Sequence, residues 1–381
     1  MSNELRLLVV SLGVMLCACG GSEAPVPEEA SPSDADAAKP LTDSGPSPSL
    51  ASPWDAVTAV LEARAAEAGN PGVGLVIYDD QDRKVYERMV GNFTPDRRVA
   101  VASSSKMVSA AVIFEVIRQG HLTLNSTTGQ VLGWTGAKAN ITLRHLLSFT
   151  SGMPPDHACL GQSNITLAQC VAAIATAPQF AAPGTRYDYG GTHLQVAARM
   201  AEVATGKTWN TLFAETLATP LNLPPGVSYF TAPRFASGTT NPLVGGGLRA
   251  SMNEYSKLLA LIYHRGRYAG LERGTLLLFA AQTREPFPNV IVGNSPAQGL
   301  GYPFRYGLGA WLECGTPATG CDVISSPGAF GWTPWVDRSA NYYAILGMEL
   351  GVQDVNGGIT EFSMSLEQEL QPLILTALGL R

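Results

Sequence analysis

The order of predicted elements indicates an α+β protein with one large domain. Strand patterns lie near both ends of the sequence, and helical patterns fill the middle. This order predicts an antiparallel sheet built from both chain ends and flanked by helices, with a helical subdomain inserted between them. Only 15% of the 381 residues are charged, and the net charge is −6. We therefore expect a large apolar core and no nucleic-acid-binding surface.

The first elements of the domain are predicted to be a helix and a hairpin. Ser52 and Pro53 are typical of a helix start, because a capping residue is followed by proline at the first helical position. Gly69 ends this helix. Residues 72–78 and 84–90 are predicted to be two strands joined by a short turn.

A buried helix follows, and its start carries the first chemical motif. Ser103 and Lys106 have a serine-to-lysine spacing of three that occurs nowhere else in this chain. Apolar residues surround the rest of the helix, which ends at Gly120, so we expect it to be buried. The lysine lies one turn after the serine on the same side and can reach its hydroxyl, which suits a nucleophile. The alternative is an ordinary helix cap beside a solvated lysine.

The middle of the chain is predicted to be mostly helical, and strands return before a final helix. The remaining predicted helices are 141–147, 166–175, 191–205, 208–217, 251–264 and 359–378. The late strands are predicted at 306–313, 322–331, 332–336 and 342–349. This order predicts two lobes, with the ligand site in the cleft between them.

The N-terminal residues are interpreted as a targeting signal and a tether. Arg6 precedes an apolar run that is too short to span a membrane but typical of a signal sequence. The run ends in Leu-Cys-Ala-Cys-Gly, which resembles a bacterial lipobox. Residues 1–18 are therefore predicted to be a lipoprotein signal peptide, with Cys19 as the lipidated residue. A plain secretory signal is the alternative.

Residues 19–52 contain repeated Pro, Ser, Ala and acidic residues and almost no large apolar side chains. Such a composition cannot bury enough surface to fold, so a flexible tether is predicted, followed by the catalytic domain at 53–381. The protein is expected to be exported and held on a bacterial membrane by its lipid, on the periplasmic or cell-surface side.

Four further cysteines form two pairs that are close in sequence. An even number of cysteines in an exported chain is typical of disulfides, so we predict Cys159–Cys170 and Cys314–Cys321. A zinc site is the alternative, but the spacings differ from those of metal-binding cysteines and no histidine pair accompanies them. The five histidines are scattered, and no metal or cofactor is expected.

Several segments in consistent order carry a resemblance to a known family. They comprise residues 102–106, 141–152, 183–191, 245–251, 306–311 and 326–331. Together they resemble the beta-lactamase-related serine hydrolases, which include class C beta-lactamases, D-alanyl-D-alanine carboxypeptidases and beta-lactamase-like esterases. The resemblance runs from about Trp54 to the C-terminus. It implies a beta-lactamase/transpeptidase-like fold.

The resemblance also implies the roles of individual residues. Ser103 would attack an ester or amide carbonyl and form an acyl-enzyme, after Lys106 or Tyr189 has accepted its proton. Tyr189 would return a proton to the leaving group. The backbone N–H groups of Ser103 and Ala329 would hold the oxyanion, and Gly328 would let the strand approach the substrate closely.

Two positions depart from the family pattern. Gly191 stands where the second motif usually has asparagine, and Ser326 stands where the third motif usually has lysine or histidine. Both belong to the predicted substrate-binding set. The missing basic residue would have bound a substrate carboxylate, so its loss weakens the beta-lactamase and carboxypeptidase interpretations more than the esterase interpretation.

Three functions are therefore considered. An extracytoplasmic esterase is preferred, a beta-lactamase or D-alanyl-D-alanine carboxypeptidase is the second hypothesis, and a non-catalytic binding protein is the third. The expected substrate is a small-molecule ester, a beta-lactam or a peptide. Tyr187 is the alternative to Tyr189. A triad of serine with His193 and Asp188 is disfavoured because the chain has no Gly-x-Ser-x-Gly elbow.

Overall fold

The computed structural model describes residues 52–69, 72–231, 238–314, 320–350 and 358–380. The predicted signal peptide at 1–18, the predicted lipidation site Cys19 and all of the predicted 19–52 tether except Ser52 lie outside these residues. Within the described ranges, no helix has both the length and the apolar character needed to cross a membrane.

The helices and strands follow the predicted order closely. The helices are α1 (Asp55–Glu67), α2 (Ser105–Arg118), α3 (Thr128–Leu132), α4 (Leu143–Leu147), α5 (Leu167–Thr176), α6 (Thr192–Thr205), α7 (Trp209–Phe213), α8 (Met252–Tyr263), α9 (Leu276–Gln282), α10 (Pro296–Gly299) and α11 (Ile359–Ala377). The strands are β1 (Val73–Asp79), β2 (Lys84–Val90), β3 (Val99–Ala100), β4 (Arg186–Asp188), β5 (Ser228–Tyr229), β6 (Leu248–Ala250), β7 (Arg267–Tyr268), β8 (Leu271–Glu272), β9 (Ile291–Asn294), β10 (Arg305–Tyr306), β11 (Trp311–Leu312), β12 (Val323–Ser325), β13 (Thr333–Asp337) and β14 (Tyr342–Met348).

The main sheet joins the two ends of the domain. Its seven strands have the order β10-β11-β12-β13-β14-β1-β2. Every neighbouring pair is antiparallel, and β14 pairs with β1 along its whole length. The α+β fold, with an antiparallel sheet made from both chain ends, is therefore confirmed.

Helices cover both faces of this sheet, and alternate residues of β1 point into two separate apolar clusters. One cluster contains Leu75 and Ile77 with buried residues of α1 and α11. The other contains Val76 and Tyr78 with residues of α2 and α8. The cross-strand pair Gly74 and Gly347 lets α8 approach closely, because a Cβ at either position would lie 2.9 Å from the Met252 sulfur.

The lobe formed largely by α3 to α7 lies between β2 and the late strands in the sequence. Both predicted disulfides are present, Cys159–Cys170 in this lobe and Cys314–Cys321 between β11 and β12. The first joins a 3₁₀ turn (Ala158–Gly161) to α5, so it fixes the segment that precedes the helix.

Three predicted elements differ from the structure. The 306–313 strand is instead two short strands, β10 and β11, because the Gly307 N–H donates to the Ala310 carbonyl and closes a turn. The predicted 322–331 strand ends at Ser325. Pro327 has no N–H to donate to a neighbouring strand, and the Gly328 N–H donates to the Trp332 carbonyl, which closes a turn. The 208–217 helix is α7 followed by a π-helix (Ala214–Ala218).

Candidate active site

Ser103 lies in a 3₁₀ turn, Ala102–Ser104, that leads directly into α2. The sequence predicted it in the first turn of the α-helix, which instead begins two residues later. Ala102 has a φ of 45°, in a region that residues with a side chain rarely adopt. Ser105 stabilises this turn, because its hydroxyl donates to the Ala102 carbonyl at 2.6 Å and accepts from the Leu248 N–H at 3.0 Å.

Lys106 is buried beside the Ser103 hydroxyl. Its Nζ lies 2.9 Å from Ser103 Oγ and donates to the Gly245 carbonyl at 2.7 Å. The same nitrogen lies 4.7 Å from the centre of the Tyr189 ring, a cation–π distance. Gly245 was not singled out as a site residue, because a carbonyl that accepts a hydrogen bond leaves no side-chain signal in a sequence.

Tyr189 is half-buried and is held by its ring and its backbone. The ring stacks on Trp311 at 5.0 Å and meets Phe149 edge-on at 5.2 Å. The Tyr189 N–H donates to the Asn294 carbonyl, and the Asn294 side-chain amide donates to the Tyr189 carbonyl, both at 2.8 Å. The alternative, Tyr187, does not line the cavity, and burial raises its pKa well above the usual value.

His193 and Asp188 serve the structure around the tyrosine rather than the serine. His193 Nδ1 lies 2.9 Å from Ser151 Oγ, and its Nε2 lies 2.9 Å from the Asp188 carbonyl. Burial lowers the pKa of His193 to about 4, so the ring is neutral at pH 7. The Asp188 carboxylate is bonded to Arg186 at 2.8 Å. Neither residue lines the cavity that contains Ser103.

The third-motif loop packs behind the nucleophile. The Ser326 hydroxyl donates to the Ser103 carbonyl at 2.9 Å, and the Ser104 hydroxyl donates to the Ser326 carbonyl at 2.6 Å. A Cβ at Gly328 would lie 2.4 Å from the Val101 carbonyl oxygen. Ser326 and Gly328 do not line the cavity, and their contacts are with the turn that carries Ser103.

The other predicted residues meet at one cavity of about 580 Å³. Ser103, Lys106, Tyr189, Gly191 and Ala329 all line it. Lys106 and Asp156 are the charged side chains that line it within the described residues, and most of the remaining surface is apolar. The cavity therefore combines a serine, an adjacent amine and a tyrosine in a mostly apolar enclosure. These are a nucleophile and two proton-transfer groups, which are the residues that acyl transfer requires.

The wall around Gly191 contains residues that the sequence did not single out. A Cβ at Gly191 would lie 2.8 Å from Leu160 Cδ1 and 3.9 Å from Asp156 Oδ1. Leu160 therefore occupies space that a side chain at position 191 would need. The only signal in the sequence was indirect, because Leu160 follows Cys159 of a predicted disulfide.

Known proteins resemble this chain in sequence and in fold. Penicillin-binding protein 4 of Amycolatopsis lactamdurans is 30% identical over 177 residues, which cover 43% of this chain and 46% of that protein. A solved structure described as a putative beta-lactamase, from Bacteroides dorei, is 30% identical with a TM-score of 0.73, and the match covers 84% of this chain and 98% of that one.

Simvastatin synthase of Aspergillus terreus, in a mutant form, shares the fold at 15% identity with a TM-score of 0.65, over 88% of this chain and 99% of that one. That likeness concerns the fold alone.

The family model described as Beta-lactamase matches residues 57–351. Serine, lysine and tyrosine meet at one cavity, and most of the chain is matched, so this protein belongs to the beta-lactamase family, whose members are serine hydrolases.

Proposed function

We propose that the protein is an extracytoplasmic esterase that forms an acyl-enzyme on Ser103. One observation carries the choice of an ester. Among the described residues that line the cavity, Lys106 is the only basic side chain, and its Nζ is already bonded to Ser103 and Gly245. A beta-lactam or a D-alanyl-D-alanine peptide presents a carboxylate, which a second cation would have to bind. A neutral ester needs no such partner.

The proposed reaction begins from the form of the enzyme in which the Lys106 amine is neutral, and this amine accepts the proton of Ser103 Oγ, which lies within hydrogen-bond distance. The serine oxygen then attacks the ester carbonyl, and the backbone N–H groups of Ser103 and Ala329 hold the oxyanion. When the carbon–oxygen bond of the ester breaks, the leaving alkoxide takes a proton by way of Tyr189. A water molecule then attacks the acyl-enzyme, releases the acid and returns the proton to Ser103.

The proposed location outside the cytoplasm is supported by the two disulfides, since such bonds persist in oxidising compartments. The lipobox-like run that ends at Cys19 supports a lipid anchor and membrane attachment. The tether proposed for residues 19–52 would let the domain act at a distance from the membrane surface.

The test compares the purified protein with Ser103→Ala on a short-chain nitrophenyl ester and on a chromogenic cephalosporin. We expect serine-dependent ester turnover and at least about 100-fold lower kcat/KM on the cephalosporin, because the carboxylate lacks a partner. Ser365→Ala on α11, outside the cavity, is the matched control and should behave as wild type. Ester turnover that survives in Ser103→Ala would contradict the assignment.

The second candidate, a beta-lactamase or D-alanyl-D-alanine carboxypeptidase, is favoured by the 30% identity to the structure described as a putative beta-lactamase. Serine-dependent cephalosporin cleavage that exceeds ester turnover would select this candidate. Absence of serine-dependent turnover of both substrates would instead select a binding protein.

A further inference from the structure

We propose that the cavity selects acyl groups that carry a protonated amine and that Asp156 binds this amine. The substrate class would then be esters of amino acids or of similar aminoacyl groups. The inference rests on the proposed esterase function and specifies its substrate. It starts from the wall around Gly191, where the chain departs from its family.

The backbone holds Asp156 beside Gly191. The carbonyl of Pro155 accepts a hydrogen bond from the Thr192 N–H at 3.1 Å, at the start of α6. A Cβ at Gly190 would lie 2.1 Å from the Pro155 carbonyl oxygen, so the two segments pack backbone against backbone. The proline ring also restricts φ at position 155. The aspartate is therefore presented to the cavity by a fixed segment rather than by a free loop.

The carboxylate of Asp156 is exposed in the cavity and has no ion pair or hydrogen bond with any described residue. Its Oδ1 lies 3.9 Å from the position of a Cβ at Gly191. A carboxylate thus stands near the space that a side-chain amide at position 191 would reach. An amide can donate a hydrogen bond to a neutral group or accept one from it. A carboxylate can only accept hydrogen bonds, and it binds a cation more strongly than a neutral group.

The charges around the serine support the same choice. The third-motif position, Ser326, holds the Ser103 carbonyl and offers no cation, while Asp156 adds an anion to the cavity lining. A substrate carboxylate would meet this anion, and the one basic side chain in the described lining, Lys106, is already bonded to Ser103 and Gly245. An ammonium group would meet a carboxylate, and the adjacent Leu160 would contact an apolar side chain of the same acyl group.

The test uses two methyl esters with one carbon skeleton, leucine methyl ester in both enantiomers and methyl 4-methylpentanoate, which lacks the amine. Acid release is followed by pH-stat. A hydrogen bond to a charged group in a partly open cavity should raise kcat/KM of the preferred leucine ester about tenfold over the deaminated ester. In Asp156→Asn, this ratio should fall to about one, mainly because KM for the leucine ester rises.

Glu215→Gln provides the matched control, because it removes one negative charge outside the cavity, where Glu215 is bonded to Lys207. The control should keep the wild-type ratio. A wild-type ratio of one or below would overturn the inference while leaving the esterase proposal intact. An equal loss on both esters in Asp156→Asn would also overturn it, since it would show that Asp156 only supports the start of α6. No turnover of either methyl ester would overturn the inference alone, because the nitrophenyl ester assay decides the esterase proposal separately.

Discussion

The two walls of the cavity are built in different ways. The nucleophile wall, defined as Ser103, Lys106 and Ala329, is held by two hydrogen bonds from the Ser104 and Ser326 hydroxyls to backbone carbonyls of the facing segments and by the bond from Lys106 to Ser103. The specificity wall, defined as Asp156, Leu160 and Gly191, is fixed by a disulfide and by close backbone packing. The comparison indicates that polar contacts position the nucleophile. The specificity wall is instead shaped by the packing of its side chains and backbone.

A buried polar chain connects the two walls. The Asn241 side-chain amide donates to the carbonyls of Cys159 and Gln162, both at 2.8 Å, and its oxygen accepts from Gln195 at 3.0 Å. The Gln195 side-chain oxygen accepts from the Val244 N–H at 3.2 Å. Val244 precedes Gly245, whose carbonyl binds Lys106. The disulfide segment is therefore coupled through hydrogen bonds to the segment that positions the lysine.

Replacement of Lys106 should give the largest effect on turnover. Lys106→Met keeps the length and apolar stem of the side chain but removes the amine beside Ser103, so we expect kcat on an ester to fall about 10³-fold. Initial rates and circular dichroism should be measured together, so that loss of activity can be separated from loss of fold. Lys207→Met, at an exposed ion pair, is the control and should keep wild-type rates. A less than tenfold loss in Lys106→Met would mean that another group accepts the serine proton.

Restoring the asparagine of the family motif should disturb the specificity wall. In Gly191→Asn, the new Cβ would meet Leu160 Cδ1 at 2.8 Å, so we expect the free energy of unfolding to fall by about 1–3 kcal/mol in urea denaturation. Leu160→Ala in the same chain should recover part of that loss by opening the space. Gly190→Asn is the control, because its Cβ would meet the Pro155 carbonyl and Leu160→Ala should not rescue it. Strictly additive effects of Gly191→Asn and Leu160→Ala would contradict this account.

The difference between the walls also explains what the sequence could predict. Ser103 and Lys106 are three residues apart, so one helical turn is enough to bring them together. The disulfides and the sheet made from both ends likewise leave local patterns of cysteines and strands. Leu160 and Gly191 meet only through tertiary packing, and no local pattern shows that one fills the space of the other. The prediction of one strand at 306–313 was wrong for a similar reason. The apolar residues follow one another without a break in the sequence, but in the structure a turn at Gly307 divides them.

A buried acid pair outside both walls should change stability without changing turnover. Glu313 follows β11 and Glu367 lies on α11. Burial is the main cause that raises the pKa of both carboxyls, and it raises that of Glu367 well above the ordinary value of 4.5. The folded state therefore binds more protons than the unfolded state, so stability is lost as pH rises above about 4.5. Glu367→Gln removes this ionisation and offers an amide to Glu313.

We expect the unfolding free energy of Glu367→Gln to match wild type near pH 4 and to exceed it by about 1–3 kcal/mol at pH 8, measured by urea denaturation. Ester turnover should be unchanged, because neither glutamate lines the cavity. Glu369→Gln, a half-exposed position on the same helix, should keep the wild-type pH dependence. If Glu367→Gln instead lost turnover at constant stability, the two walls would depend on the packing of α11, and the polar contacts around Ser103 would not be enough to position the nucleophile.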